Sequence, residues 1–149
     1  MSPKILSAVH TSLYEKLMTS EALTTAGVRL YDYPPENAPL PYVCFEETGF
    51  RPVDTKSSSG MKITVTLAIW SENLGQLEVK EIMDSLREVL KESLIVPSED
   101  GTEVSVSYYT VDSAKVTQLH QKNTILMKGT LIFSVTVHAV VGSHSLNFL

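Results

Sequence analysis

The stretch from Leu30 to Glu47 constrains the fold more than any other part of the chain, because it holds four of the seven prolines. These are Pro34, Pro35, Pro39 and Pro41. Proline fixes φ at about −65° and lacks an N–H, so neither a helix nor a central strand can run through this stretch. Strand-forming residues precede it at 28–33 and follow it at 42–47. The pattern predicts a strand, a stiff crossing and a second strand.

Two amphipathic helices are predicted on either side of the first strands. Ser2 and Pro3 form a good helix opening, and the following apolar residues recur every four positions. They are Ile5, Val9, Leu13 and Leu17. Residues 21–27 predict a short helical turn that ends at Gly27 in a left-handed conformation.

The second helix is predicted to begin after Asn73, which can cap it with Gln76 in capping-box spacing. Pro97 ends the element. Its apolar stripe consists of Leu77, Ile82, Leu86, Val89, Leu90 and Leu94.

Strict alternation predicts strands elsewhere. In residues 62–70, Ile63, Val65, Leu67 and Ile69 form one face, and Trp70 belongs to the other, more polar face. Residues 103–117 and 124–141 predict two long strands joined by a polar hairpin tip at 118–123. Gly129 interrupts the last strand and predicts a bulge or bend.

These elements together predict the α+β class. The expected fold is a mostly antiparallel sheet of about five strands with two main helices on one face, in the order α-β-β-β-α-β-β. Residues 50–60 are expected to form a flexible loop, since they are polar and rich in serine, and the tail 145–149 is apolar for a terminus. The second face of the sheet is too mixed for another core and suits contact with another subunit.

Length and composition limit the class of protein. A chain of 149 residues favours a single domain, 1–149, with a real core. No run approaches the roughly 20 apolar residues that cross a membrane, and the first residues lack the apolar segment of a signal peptide. The single cysteine, Cys44, excludes an internal disulfide, and the net charge of −5 argues against a dedicated nucleic-acid binder. We expect a soluble protein of a reducing compartment.

The sequence predicts no catalytic residue, no cofactor site and no metal site. Glu46 and Glu47 are adjacent on a strand and project to opposite faces, so they cannot act on one bond. The serines lack the context of an activated nucleophile, and Cys44 has no histidine near it in sequence. The histidines have no metal-binding spacing; they are His10, His120, His138 and His144. We therefore expect that the protein is not an enzyme.

Two motifs resemble the tail completion (tail terminator) proteins of tailed bacteriophages and prophages. The first is the run Val-Arg-Leu-Tyr-Asp-Tyr-Pro-Pro-Glu-Asn-Ala-Pro-Leu-Pro-Tyr-Val after a short helix. The second is a strand ending in Ile69-Trp70-Ser71, followed by Gly75 and an amphipathic helix. The motifs are structural rather than catalytic, and the order of elements agrees over most of the chain.

The resemblance implies a structural virion protein that works by assembly. Proteins of this family form a ring, generally hexameric, that caps the finished tail tube and presents it to the head connector. The implied partners are copies of the chain, the tail tube protein and the head–tail connector protein. DNA would pass through the lumen without specific binding. The implied location is the head-proximal end of the tail in the virion, after assembly in the host cytoplasm.

Candidate contact residues come from the serine-rich loop, the mixed sheet face, the hairpin tip and the apolar tail. They are Arg51, Asp54, Lys56, Ser57, Ser58, Ser59, Trp70, Gln121, Lys122 and Phe148. Two alternative functions stay open at this point. One is a different head–tail connector or tube-like assembly protein; the other is a small α+β ligand-binding or enzyme domain, which would need a concave pocket with converging polar groups.

Overall fold

A computed structural model describes residues 5–54, 56, 59–92, 94, 96 and 103–140. Within these residues the α+β class and the predicted order of the main elements are confirmed, and the helical turn predicted after the first helix is a short helix of its own. The elements are α1 (Ile5–Met18), α2 (Glu21–Thr25), β1 (Arg29–Tyr31), β2 (Tyr42–Pro52), β3 (Ser59–Ser71), α3 (Leu77–Leu90), β4 (Glu103–Gln121) and β5 (Thr124–Val140).

The five strands form one sheet in the order β1-β2-β3-β5-β4. β1 runs parallel to β2, and the other neighbours are antiparallel. A parallel pair needs a crossing connection rather than a tight hairpin. The proline-rich residues 32–41 provide it, with a cis peptide bond between Leu40 and Pro41, so the predicted strand, crossing and strand are confirmed.

Register divides the sheet into two faces, as the alternation predicts. The apolar face is buried and carries large aliphatic and aromatic side chains: Val43, Phe45, Ile63, Val65, Leu67, Ile69, Leu131, Phe133, Val135 and Val137. The polar face carries the alternate residues of the same strands: Tyr42, Cys44, Thr64, Thr66, Ala68, Trp70, Lys128, Thr130, Ile132, Ser134 and Thr136. Most of these are half-buried.

Both long helices contact the apolar face. The rings of His10 and Tyr14 in α1 lie 4.5 Å and 6.3 Å from the ring of Phe45. In α3, Val79 packs over Gly129, opposite Ile69 in the register. The buried side chains of both helices join those of this face in one core.

Gly129 does not form the predicted bulge, because β5 pairs with both neighbours through Gly129 without a shift in register. Its role is close approach. A Cβ added at Gly129 would lie 2.5 Å from Val79 Cγ1 and 3.1 Å from Met83 Cε, so the missing side chain is what lets α3 reach the sheet. The bulges of the described strands lie in β4, at Val106/Tyr108 and Val111/Ser113, and in β2, between Phe45 and Thr48.

The start of α3 also differs from the prediction. The helix begins at Leu77 without a side-chain cap, and Asn73 does not form the expected capping box. Glu78 in the first turn instead accepts hydrogen bonds from the Ser71 hydroxyl (2.6 Å) and the Asn73 amide (2.7 Å), which ties the helix to the end of β3. Leu77 is 71% exposed, and Val79 takes the buried position that starts the stripe.

Two connections are shorter than predicted. Pairing between β2 and β3 continues to Pro52 and Met61, so residues 50–52 and 59–60 of the expected loop are strand. The polar tip between β4 and β5 is a two-residue turn, Lys122 and Asn123, and residues 118–121 are strand. In both places the strand ends are largely exposed, so they lack the long apolar alternation that identifies buried strands.

Several predictions lie outside the described residues. They are the Ser2–Pro3 helix opening, Ser57 and Ser58, the Pro97 helix end, His144 and the tail 145–149 with Phe148.

Gly27 has φ 72°, which confirms the left-handed turn after α2. Among the described helices, none has the length and apolar character needed to cross a membrane.

Candidate assembly surfaces

Trp70 lies on the polar face near the end of β3, as predicted, and is half-buried. The Nζ atom of Lys128 lies 5.2 Å from the centre of its ring, and the same atom forms a 2.9 Å ion pair with Glu46 Oε2. Cation–π and ion-pair contacts of this kind contribute about 0.5–1 kcal/mol at exposed sites. They favour this position of the tryptophan ring, which keeps part of its surface in solvent.

Cys44 lies beside this cluster and is buried. Burial raises the pKa of its thiol above the usual 9.0, and the nearby Glu46 carboxylate raises it further, while a hydrogen bond with Trp70 opposes both. A thiol with a raised pKa is mostly protonated at neutral pH and is a weak nucleophile. The environment therefore suits a packed cysteine better than a reactive one.

The polar face continues with two tyrosines. The rings of Tyr31 and Tyr42 meet edge to face with their centres 5.5 Å apart, and both are half-buried. Burial raises the pKa of Tyr42 above its usual 10.0, and Cys44 and Tyr31 add to this. With Trp70 these rings make an aromatic group at one end of the face, and aromatic residues are enriched at protein interfaces. The sequence indicated Trp70 but not the tyrosines, which it placed only as strand residues beside the prolines.

The centre of the polar face is rich in hydroxyl groups. The Ser134 hydroxyl donates to Asp112 Oδ2 at 2.5 Å and lies 3.4 Å from the Thr64 hydroxyl. Asp112 sits at the β4 bulge, which turns its side chain toward this face. Sequence patterning alone did not find Asp112, because the bulge shifts the alternation by one residue at that point.

The hairpin of β2 and β3 carries several predicted contact residues, and the structure brings them together at its tip. Asp54 Oδ1 accepts hydrogen bonds from the Gly60 N–H (3.0 Å) and the Ser59 hydroxyl (3.2 Å). The Val53 N–H donates to the Gly60 carbonyl at 3.0 Å. These bonds close the hairpin, so Asp54 has a structural role within it.

The same tip is anchored to β5. A Cβ at Gly60 would lie 2.5 Å from His138 Cδ2 and 2.7 Å from the Val53 carbonyl oxygen, so the imidazole of His138 rests directly on the glycine. His138 is thus a packed structural histidine. Arg51 and Lys56 are exposed on this hairpin. Gln121 ends β4 and Lys122 begins the β4–β5 turn, in a separate region of the chain, and both are exposed.

Phe50 is the residue that sequence reasoning missed most clearly. It is 57% exposed and lies in β2 opposite Ile63 on the apolar face. The prediction of a loop over 50–60 concealed it. The available signal was the short alternation of Thr48, Phe50 and Pro52.

The described side chains show no group of three or more histidine, cysteine, aspartate or glutamate residues that could hold a metal ion. His10 Nε2 lies 3.1 Å from Asp32 Oδ1, and its ring packs on Phe45, which places it as a helix histidine between core and loop.

A family model described as "Tail completion protein gp17" matches residues 11–123, which are 113 of the 149 residues. A comparison with curated proteins found no similar sequence.

Two solved structures share the fold. A chain of the virion of a native gene transfer agent particle superposes with a TM-score of 0.74 at 16% identity, covering 92% of this chain and 99% of that one. The gp17 protein of bacteriophage SPP1 superposes with a TM-score of 0.54 at 19% identity, covering 87% and 88%. The likeness extends over nearly the whole of each chain, so the fold described above is shared with these two proteins.

Proposed function

We propose, from the premise that the chain belongs to the tail completion protein gp17 family, that it forms a ring that caps a finished tail tube. As a member of this family the chain is a structural component of a phage tail or a related particle. We further propose that the ring, generally hexameric in this family, contacts the tube protein on one side and the head connector on the other. The family match over three quarters of the chain is the observation that carries it.

The surfaces described above support an assembly role. A ring closes when each subunit presents two different, complementary surfaces to its neighbours. The sheet offers a half-buried polar face with an aromatic group, and its two hairpins carry the exposed side chains Arg51, Lys56 and Lys122. Separate surfaces of this kind suit a subunit that contacts two neighbours, a tube and a connector.

The charge of the chain agrees with a lumen through which DNA moves. A net charge of −5 gives no general attraction for phosphates, and Lys128 on the polar face is already paired with Glu46. Binding to the DNA backbone depends on cations that neutralise phosphates. We propose that DNA passes the ring without specific binding, at the head-proximal end of the tail.

Disrupting the gene in a strain that makes the particles tests the proposal. Without a cap, tube subunits keep adding, so we expect overlong tubes and free heads by electron microscopy, with complementation by the wild-type gene. Tails of normal length that merely fail to join heads would identify a head–tail connector instead. Complete, infectious particles would contradict both functions.

A further inference from the structure

Two strands of the sheet have free edges within the described residues, and they lie at opposite ends. β1 pairs only with residues 42–44 of β2, so residues 45–52 of β2 have a neighbour on one side alone. β4 forms the other end of the sheet and pairs only with β5. An edge strand presents a row of unpaired N–H and C=O groups that can bind another strand.

A cavity of about 270 Å³ lies beside the β4 edge, between β4 and the end of α3. The apolar side chains Leu90, Val111 and Phe133 line it together with Thr110, Arg87 and Lys91. Lys91 also forms a 2.8 Å ion pair with Glu88. An apolar cavity of about 150 Å³ is enough to hold benzene. The site therefore has room for one aromatic side chain.

The β2 edge carries a side chain that fits this cavity. Phe50 is exposed, and its pairing with Ile63 places it on the apolar face. Val111 pairs with Phe133 and lies on that same face beside the β4 edge. A cation near the face of an aromatic ring attracts it, so Arg87 in the lining favours an aromatic occupant over an aliphatic one.

Strand direction allows the two edges to meet. β2 and β5 run one way and β3 and β4 run the other. A second copy related by a rotation about an axis along the strands keeps these directions, so its β2 would lie antiparallel to β4 of the first copy. Such a contact joins two different surfaces and can repeat around a ring.

Charge fits the same register. With Phe50 opposite Val111, Arg51 lies opposite Thr110 on the polar face and diagonal to Asp112, which is exposed. Diagonal neighbours across an antiparallel pair are within reach of long side chains. Pro52 and the β2 bulge between Phe45 and Thr48 limit the pairing to a short segment, which guards against unlimited edge-to-edge aggregation.

We propose that a second copy of this chain docks its residues 46–52 along β4, with Phe50 in the cavity of Leu90, Val111 and Phe133 and Arg51 beside Asp112. The contact rests on the proposed ring and names its subunit interface. It also assigns a role to the hairpin that Asp54 closes, which holds the docking strand in place.

Disulfide trapping in the full-length protein tests the contact. Directly opposite residues of an antiparallel pair have Cα atoms about 4.5–5.5 Å apart, within the range a disulfide spans. The double variant Arg51→Cys/Thr110→Cys, oxidised at high concentration, should form a ladder of covalent oligomers on a denaturing gel. The matched control Arg51→Cys/Lys122→Cys keeps the thiol at position 51 and moves the second thiol to the β4–β5 turn. It should form at least tenfold less covalent oligomer. Equal yields from both pairs would overturn the proposal.

A third substitution tests whether the Phe50 ring occupies the cavity. Adding Phe50→Ser to the first pair should lower the ladder at least tenfold, whereas adding Tyr33→Ser, which removes an aromatic ring that is 90% exposed, should leave it unchanged. An undiminished ladder with Phe50→Ser would overturn the cavity contact. If the first pair gives a strong ladder but disrupting the gene leaves complete particles, the proposed tail function is refuted and the contact stands. If the gene is needed to complete tails but the first pair gives no ladder, the contact is refuted and the tail function stands.

Discussion

The two faces of the sheet share the same strands and differ in what they do. On the apolar face, Leu67, Leu131 and Phe133 have no exposed surface and contribute to the core under the helices. On the polar face, their sequence neighbours Thr66, Thr130 and Ile132 are only half-buried. One face therefore contributes most of the stability, and the other is free to change with the partners of the chain.

This difference accounts for the few special residues of each face. On the apolar face, Gly129 leaves room for α3, because a side chain at this position would overlap Val79. Trp70 and Tyr42 belong to the polar face, where large aromatic surfaces are left partly in water. Burial of apolar area contributes about 25 cal/mol per Å², so leaving such rings half-exposed gives up stability that a partner can recover.

The largest effect is expected when a core ring is removed. Phe133→Ala should lower the free energy of unfolding by about 3–5 kcal/mol, as for buried phenylalanines in general. Ile132→Ala, one residue away on the polar face, should lower it by less than about 1.5 kcal/mol, since that side chain is half-buried. Urea unfolding followed by circular dichroism measures both. Equal losses would contradict the division between the faces.

Trp70→Ala should act on assembly more than on folding. We expect a loss of about 2 kcal/mol or more in subunit association, as for tryptophans at interface hot spots, with a folded monomer. Sedimentation velocity over a range of concentrations measures the association, and a thermal melt reports the fold. A variant that keeps its assembly state but melts much earlier would assign Trp70 to the core.

Gly129→Ala tests the close approach of α3. Its Cβ would overlap Val79, so the free energy of unfolding should fall by about 1–3 kcal/mol. Gly49→Ala is the matched control, because a Cβ there meets nothing within 4 Å; it should leave stability unchanged or slightly raised. If the two variants unfold alike in urea, the packing of α3 over Gly129 is wrong.

The smallest effect concerns pH. The pKa of Cys44 is raised in the folded protein, so the thiol contributes stability that is fully present below its unfolded pKa and is lost as the pH rises through the folded pKa. As the pH rises above 8, the wild-type protein should therefore lose more stability than Cys44→Ala. Parallel urea titrations at several pH values measure the difference, and identical slopes would contradict the assigned cause.

Local sequence patterns predict much of the difference between the two faces. The alternation of Ile63, Val65, Leu67 and Ile69 identified the apolar face, because the side-chain period of a strand is fixed by its geometry. The prolines between Leu30 and Glu47 indicated the crossing for the same reason, since φ and hydrogen bonding are local properties. Trp70 was placed on the correct face by its position in that alternation.

The remaining features depend on contacts between distant parts of the chain. Leu77 fits the helical stripe in sequence, yet the helix begins there and the side chain points away from the sheet. The sequence predicted a bulge at Gly129 because the residue that requires a glycine there, Val79 of α3, lies fifty residues earlier in the chain. Asp112 and the cavity near Arg87 follow from no sequence pattern, because they arise only where β4 is bulged and packed beside α3.

The most direct measurement of the central claim is a cryo-electron microscopy reconstruction of the head-proximal tail end of particles that contain this chain. We predict a closed ring in which residues 46–52 of each subunit lie along β4 of the next, with the helices α1 and α3 packed only on their own sheet. Subunits joined through those helices, with both sheet edges in solvent, would contradict the account.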